Sequence, residues 1–447
     1  MRRQAATVKG LNRRLGDLHF ERVDDPRDKG KVRYPLWVLL KALVSALTTN
    51  AFSLRKVEER TGQMARKNGS EMGIKGRIAD NTFGKVLPRL NFSSLVEALH
   101  RLVKAEHRRG NLKPELLCVG VVAVDGKNVG TLHWHDLCRV VGLDSAEASP
   151  EQVKTLLAER YPDMQLVQPA EGAPYALARV HTVTLISSKA AMCIHQRPTQ
   201  GHTNEVGSMP ELLDELDMAY GRTGLFRMVT TDAGNTSLKV ATQIVERHGW
   251  DYFLQIKSGH GELYREAHNA LDARTEEQAE ATVVDQQNGK IVTYRVWQHD
   301  LTDQGWLDWT HARQLIRIER TELDPATNQT TVGNRYYVCN LTTTELGAKG
   351  CLKISRAHWR RENETHWTAD TQMAEDRRRH ALSRHPNGVF AVSVLRMMAL
   401  DILSVARKLS RYGYTEETPS WQQVAEHFLL VLCDTVLNTE AFDAVEN

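Results

Sequence analysis

The feature that most constrains the fold is an unbroken run of apolar or small residues at 116–124, which ends at Asp125. A strand with one face in water alternates apolar and polar residues, and this run does not alternate. It therefore predicts a central strand that is covered on both faces, with layers packed on each side of a sheet. The chain has 447 residues, which is enough for two or three domains around such a core.

The elements that follow this run predict a mixed sheet. Further strands are predicted at 181–187, 191–196, 225–231 and 252–256, with helices beginning at Ser208 and at about Asn235. The order β-β-β-α-β-α-β is that of a ribonuclease-H-like core, in which antiparallel strands are followed by parallel strands with crossover helices. We therefore expect an α/β fold: a ribonuclease-H-like mixed sheet with an N-terminal helical domain and a mostly β insertion.

Changes in pattern divide the chain into five segments. Residues 1–113 have helical apolar periodicity, including one long helix at 34–60, and predict a base-rich helical domain. Residues 114–280 predict the first part of the core, with an insertion at 128–179. Residues 281–342 alternate and contain the hairpin turn Asn288-Gly289, which predicts a β-rich insertion. Residues 343–410 predict a return to the core, and residues 411–447 a C-terminal helical segment.

Three carboxylates lie in settings that suit a shared site. Asp125 and Asp232 each end an apolar run, and Glu362 lies on a predicted helix at about 357–382. Sites in open sheets form at the carboxyl ends of strands, and a packed helix can bring in a third acid. Converging carboxylates repel one another unless cations lie between them, and oxygen ligands suit Mg²⁺ or Mn²⁺. The pattern predicts a metal site for phosphoryl chemistry, although a single Asp at a strand end often only caps a turn or a helix.

Five short motifs carry a resemblance to a known family. They lie at 122–127 (Val-Ala-Val-Asp-Gly-Lys), 202–205 (His-Thr-Asn-Glu), 231–233 (Thr-Asp-Ala), 251–257 (from Asp-Tyr to Lys) and 358–370 (His-Trp, Glu-Asn, His-Trp and Asp in order). With them the chain resembles DDE-type insertion-sequence transposases, of the branch that includes the H-repeat-associated proteins. The resemblance covers roughly residues 15–410, and the last motif is the most specific.

The resemblance implies a function and a set of site residues. Asp125, Asp232 and Glu362 would bind two divalent ions, Mg²⁺ or Mn²⁺, for DNA cleavage and strand transfer. The substrates would be double-stranded DNA, first the terminal inverted repeats of the element and then target DNA, bound by a homodimer and, in part, by the N-terminal helices. The expected DNA contacts are Lys127, Lys257, His358, Arg360, Arg361 and His366.

Some readings stay open. Histidines such as His358 and His366 are more often core or DNA-contacting residues than metal ligands, and Lys127 and Lys257 could equally be solvated surface lysines. The wider superfamily often has Tyr-x2-Arg-x3-Glu around the third acid, where this chain has Ser355 and His358. A nuclease that no longer transposes, or a non-catalytic DNA-binding relative, remains the alternative function.

Charge and composition set further limits. The formal net charge is only +3, but bases cluster at 1–14, at 101–113 and at 377–379, which favours a polyanionic partner. The six cysteines show no CxxC pair, which indicates a reducing compartment. We expect no secretory signal and no membrane span, and therefore a cytoplasmic, nucleoid-associated protein of bacteria.

Overall fold

A computed structural model describes residues 2–28, 30, 32–200, 205–301, 307–309, 311–361, 382–409 and 419–433. The N-terminal part is helical, as its periodicity predicts. Its helices are α1 (Arg2–Asp17), α2 (Leu36–Leu47), α3 (Leu54–Met72), α4 (Asp80–Val86) and α5 (Phe92–Arg108). The single helix predicted at 34–60 is wrong. The chain turns between α2 and α3, where Asn50 has a φ of 61°. The Ser53 side chain then caps α3 by accepting from the Lys56 N–H at 3.3 Å.

The middle of the chain supplies the first six strands of the sheet. In order, the elements are β1 (Val121–His133), α6 (Trp134–Val141), α7 (Pro150–Arg160), β2 (Met164–Val167), β3 (Tyr175–Leu185), β4 (Met192–Pro198), α8 (Met209–Tyr220), β5 (Met228–Thr231), α9 (Leu238–Thr242), β6 (Asp251–Ile256) and α10 (Gly261–Leu271). The segment 128–179, expected as an insertion, is partly sheet, because β1 and β3 both extend into it and pair along their length.

The later chain extends the same sheet. Its elements are β7 (Ala281–Gln287), β8 (Lys290–Asp300), β9 (Gln314–Asp324), β10 (Gln329–Cys339), α11 (Ala348–Arg361), α12 (Pro386–Leu409) and α13 (Trp421–Leu432). The segment 281–342 is β-rich as its pattern predicts. Its last strand, β10, pairs antiparallel with β6, so the hairpins continue the central sheet.

The described strands form one mixed sheet of ten strands, in the order β2-β3-β1-β5-β6-β10-β9-β8-β7, with β4 also paired to β3. Strand β5 is parallel to β1 and β6 is parallel to β5, whereas β3 is antiparallel to β1. The mixed α/β class is therefore as expected.

Alternate residues of β1 enter two different hydrophobic clusters. Val122 and Val124 join a cluster with the N-terminal helices and α12, and Val121 and Ala123 join one with α11. This alternation explains why the strand is apolar without a break, because both of its faces are buried. Gly120 precedes it where a Cβ atom would lie 2.3 Å from the carbonyl oxygen of Leu225.

Helix α12 is buried nearly all round, as its composition predicts. It is long and apolar enough to cross a membrane, yet 94% of its most apolar stretch is buried inside the protein. A core helix of a soluble protein passes the same test of length and composition. Here the helix packs against α2, α5 and β4, and so lies between the N-terminal helices and the sheet.

Candidate functional site

Asp125 lies inside a strand and does not end one, which corrects the sequence prediction. Strand β1 continues to His133 because β3 pairs with it throughout, with Thr182 opposite Asp125. The parallel pairing of β1 with β5 ends at Val124 and Thr231. Asp125 is thus the first residue at which β1 loses its neighbour on that side, and its side chain is half-buried.

Asp232 follows β5 directly, as predicted. The last residue pair between β1 and β5 precedes both Asp125 and Asp232, so the register places the two acids at one edge of the sheet. Alternation along β1 puts Asp125 on the face that carries Val121 and Ala123, which α11 covers. This edge is the carboxyl end of the parallel strands, where sites in open sheets form.

The carboxylate of Asp232 is held by the turn that follows it. Its Oδ1 accepts from the backbone N–H of Asn235 at 3.0 Å and from the Asn235 side-chain amide at 2.9 Å. Gly234 leaves room for this arrangement, since a Cβ atom there would lie 3.1 Å from Asp232 Oδ2. These two hydrogen bonds therefore engage one carboxylate oxygen and fix the direction of the other.

A buried hydrogen-bond chain extends behind Asp232. Asn235 Oδ1 lies 3.0 Å from His181 Nε2, and His181 Nδ1 lies 3.2 Å from the hydroxyl of Ser208. Asn235 and His181 are completely buried. Burial lowers the pKa of His181, although Asn235 and the charge of Asp232 oppose the shift. A neutral imidazole with its proton on Nε2 satisfies the chain, because Nδ1 then accepts from Ser208.

His358 lies on α11 close enough to Asp232 to sense its charge. The side chain is 4% exposed, and its Nδ1 has no hydrogen-bond partner among the described residues. Burial lowers the pKa of His358 to about 4, while Asp232 acts to raise it and Arg335 to lower it. The burial of this imidazole places it beneath the surface, and its expected contact with DNA stays a prediction.

Of the remaining predicted residues, some lie near this edge of the sheet and others fall outside the described part of the chain. Lys127 lies two residues beyond Asp125 in β1, and the exposed Lys257 follows the end of β6. Arg360 and Arg361 are the last two residues of α11. Glu362 and His366 lie outside the described residues, as do most of the 202–205 motif and the bases at 377–379.

Several bases of the N-terminal clusters are engaged inside the protein. Arg14 is 5% exposed and pairs with the fully buried Glu106 at 3.1 Å. Arg109 pairs with Glu106 and with Asp17, and Arg101 donates to the carbonyl oxygen of Leu18. These three arginines hold α1 and α5 together, so the sequence clusters overstate the charge that is free for DNA.

The described residues bring together some, but not all, of the groups that a metal site would need. Among them, no group of three His, Cys, Asp or Glu side chains converges in a way that could hold a metal ion. They do bring two carboxylates to one sheet edge, with a neutral imidazole beside them. That set of groups suits a divalent cation, provided that a further oxygen ligand completes it.

The family assignment rests on a match over much of the chain. The family described as "Transposase DDE domain" matches residues 170–402, just over half of the chain. The chain belongs to the DDE transposase family. The match includes Asp232 and the position of Glu362, and it begins downstream of Asp125.

Individual relatives agree with this assignment. The protein named "Putative transposase YncI" from Escherichia coli O157:H7 is 24% identical over 239 residues, which are 50% of this chain and 56% of that protein. "H repeat-associated putative transposase YhhI" from Escherichia coli strain K12 is 24% identical over 233 residues, 50% of this chain and 58% of that protein. The chain thus spans little more than half the length of these relatives. The branch suggested by the sequence motifs is confirmed.

A solved structure with a distant resemblance is the piggyBac transposase synaptic complex with hairpin DNA. It is 11% identical, the alignment covers 98% of this chain and 81% of the other, and the TM-score is 0.42. A similarity of this size supports no conclusion about the fold or the site.

The sequence prediction missed Asn235, His181 and Arg335. Asn235 had a usable signal, because it follows Asp232 by three residues and an Asn there can bond back to the turn. His181 had a weaker signal, as a polar residue at the start of an apolar strand. Arg335 had none, because only the pairing of β10 with β6 brings it to the sheet edge.

Proposed function

We propose that the chain is a DNA transposase that binds the terminal inverted repeats of an insertion sequence, cleaves DNA by metal-dependent phosphoryl transfer, and joins the 3′-hydroxyl ends to target DNA. The observation that carries this proposal is the pair Asp125 and Asp232 at one edge of the parallel strands, in a chain of the DDE transposase family. Phosphoryl transfer requires little covalent chemistry from a protein and mostly positioned charge, which such an edge supplies.

The proposed core is ribonuclease-H-like. The strand neighbours β4-β3-β1-β5-β6, antiparallel on one side of β1 and parallel on the other, support it. Helices α8 and α9 lie in the connections that lead to β5 and β6. The proposed division keeps residues 1–113 as a helical DNA-binding part, 281–342 as a β-rich insertion and 411–447 as a C-terminal segment.

The proposed ligands for two Mg²⁺ or Mn²⁺ ions are Asp125, Asp232 and Glu362. Glu362 is the next residue after α11 and lies four residues after His358 in the sequence, a spacing that shares one face in a helix. Divalent ions at such a site stabilise the attacking and the leaving oxygen of an in-line displacement. The chain itself contributes the orientation of Asp232, through Asn235, and the buried imidazole of His358.

The proposed DNA contacts are basic side chains of the protein near this edge of the sheet. Lys127 and Lys257 would contact phosphates as flexible point charges, and Arg360, Arg361 and His366 would extend that surface.

The protein would act in the bacterial cytoplasm, on the nucleoid, as a homodimer that holds two ends. Light scattering of the protein with end-bearing DNA tests the dimer: two copies with two duplexes are expected, and joining by complexes of one copy with one duplex would contradict it.

Cleavage of an end-bearing duplex tests the catalytic proposal. The unmodified chain is expected to nick or cut the labelled duplex at the element end in Mg²⁺ or Mn²⁺, and to lose this activity when EDTA is added. Asp125→Asn, Asp232→Asn and Glu362→Gln are each expected to lower cleavage by about 1,000-fold or more, because metal ligands act as a unit. DNA affinity measured by anisotropy should stay within about twofold for the same variants, since phosphate contacts dominate affinity.

Glu159→Gln, at an exposed acid on α7, serves as the matched control and should cleave normally. A carboxylate variant that cleaves within tenfold of the unmodified chain would remove that residue from the site. Cleavage without joining to a second duplex would favour the nuclease alternative. Binding of DNA without any cleavage would favour the non-catalytic one.

A further inference from the structure

A basic groove lies beside the candidate metal site. It is a concavity of about 950 Å³ between α11 and the strands β8–β10. The residues lining it include four cations, Arg320, Arg335, Lys353 and Arg356, and among the described residues that line it there is no carboxylate. A concave surface of one charge sign concentrates ions of the opposite sign.

Two of these cations are already neutralised. Arg320 forms an ion pair with Glu322, and Arg356 forms one with Asp285. Arg335 and Lys353 have no carboxylate partner among the described residues. Lys353 is exposed on α11, and Arg335 is half-buried. Within the part of the chain that the structure describes, the groove therefore keeps two positive charges without a paired carboxylate, which an anionic ligand would satisfy.

The aromatic rings of the groove hold cations in place. The Arg335 guanidinium lies 3.8 Å from the ring centroid of Trp359, and the Arg356 guanidinium lies 4.9 Å from that of Tyr294. The Trp359 indole is itself fixed by its Nε1–H, which donates to the Tyr337 hydroxyl at 3.2 Å. A stacked guanidinium keeps its edge N–H groups free for phosphate oxygens. The rings thus hold the two guanidinium groups in fixed orientations, and no base-specific contact is needed for these groups to bind phosphate oxygens.

The groove leads to the sheet edge that carries the acids. Arg335 comes directly before Tyr336, which pairs with Ile256 at the end of β6, so it lies level with Lys257. Trp359 follows His358, the residue that senses the charge of Asp232. One end of the groove is therefore next to the candidate metal site. Lys353 lies away from that end, nearer the N-terminus of α11.

We propose that this groove binds the phosphate backbone of a DNA strand that leads to Asp125 and Asp232, with Arg335 and Lys353 as the phosphate contacts. The proposal rests on the proposed function. Contacts of this kind are independent of base sequence, so the groove contributes equally to affinity for end, flanking and target DNA. Each contact also releases counterions and steepens the salt dependence of binding.

The test compares Lys353→Gln and Lys353→Glu with the unmodified full chain. Affinity for a labelled duplex of arbitrary sequence, and for its separated strand, is measured in EDTA between about 50 and 200 mM salt. Lys353→Gln is expected to lower the slope of log affinity against log salt by about 0.9, the value for one lost phosphate contact, and Lys353→Glu by more. The ligand that shows the larger loss identifies whether duplex or single-stranded DNA occupies the groove.

Lys154→Glu, at an exposed lysine on α7, is the matched control and should leave affinity and slope unchanged. Arg335→Gln supplies a second contact variant with the same expected loss of slope. Unchanged slopes in both Lys353 variants, in a chain that binds and cleaves DNA, would overturn the groove and leave the proposed function standing. If the unmodified chain binds no DNA in EDTA or in Mg²⁺, both proposals fail.

Discussion

Asn235 restricts the carboxylate of Asp232 through two hydrogen bonds to the same oxygen. Replacing it by Leu keeps the branched shape of the side chain, with somewhat more volume, and removes the amide that joins Asp232 to His181. Groups that orient a metal ligand typically contribute about 10- to 100-fold to metal affinity or activity. We therefore expect Asn235→Leu to lower cleavage by that factor and to raise the Mg²⁺ concentration for half-maximal cleavage, with DNA affinity unchanged.

Asn81→Leu, at an exposed asparagine on α4, controls for the substitution itself and should cleave normally. A purely structural role for Asn235 would lower the amount of folded protein and leave the Mg²⁺ midpoint of the folded fraction unchanged. That result would contradict the prediction, and thermal denaturation of each variant separates the two effects.

At the scale of single residues, the sequence predicted the acids better than their surroundings. Asp232 was recognisable because an apolar run ends at it, and that position is where the strand stops. Asp125 has the same pattern, yet β1 continues past it, because β3 pairs with β1 on the side away from β5 and does so as far as His133. The buried links among Asn235, His181 and Ser208 join three elements distant in sequence, and no local pattern encodes such contacts.

At the scale of elements, the Tyr337 hydroxyl ties β10 to the end of α11. It lies 2.8 Å from the hydroxyl of Ser355 and accepts from the Trp359 indole at 3.2 Å. Tyr337→Phe keeps the ring, which stacks on Phe253, and leaves the Ser355 hydroxyl and the Trp359 indole N–H without this partner. We expect the free energy of unfolding in urea to fall by about 1–3 kcal/mol, because an unsatisfied buried polar group carries its desolvation cost.

Tyr175→Phe is the matched control, since Tyr175 is half-buried and its hydroxyl forms no hydrogen bond with the described residues. Its free energy of unfolding should stay within about 0.5 kcal/mol of the unmodified value. A loss for Tyr337→Phe as small as this would show that the hydroxyl does not fasten α11.

The types of the secondary-structure elements were predictable from the sequence, but the pairing of some strands was not. The alternation of apolar and polar residues at 281–342 identified β structure. Apolar residues on nearly every face of a helix at 389–409 identified a buried helix. Neither pattern states which strand lies next to which. The pairing of β10 with β6 is a contact between distant segments, and it joins the β-rich segment 281–342 to the central sheet.

At the scale of the whole molecule, the N-terminal helices and the sheet share one hydrophobic cluster. Residues of α2 and α5 join it together with residues of β1, β5 and α12. Removing residues 1–113 would therefore expose the face of the sheet that they cover. Point substitutions at exposed bases, such as Lys9 and Arg13 on α1, test the DNA-binding role of this part without disrupting the core.

Acid should loosen this shared core through His100. Its Nε2 lies 3.0 Å from His195 Nδ1, and His195 Nε2 lies 2.9 Å from Glu215, so the chain links α5 to β4 and α8. Burial, with the neighbouring His195, lowers the pKa of His100 to about 2. In the unfolded chain His100 takes up this proton near the ordinary histidine pKa of 6.5, so the stabilising contribution is complete above that pH and declines as pH falls toward the folded pKa.

The expected decline from this one group is about 1.4 kcal/mol per pH unit below pH 6.5, and about 2 kcal/mol by pH 5. His100→Gln cannot take up the proton and should make the loss of unfolding free energy between pH 7 and pH 5 smaller by about that amount. Urea unfolding followed by tryptophan fluorescence measures it. His135→Gln, at an exposed histidine on α6, should keep the full loss. Because other buried histidines titrate in the same direction, the decisive quantity is the difference between these two variants: equal losses would show that His100 is not held neutral by the joint between the helices and the sheet.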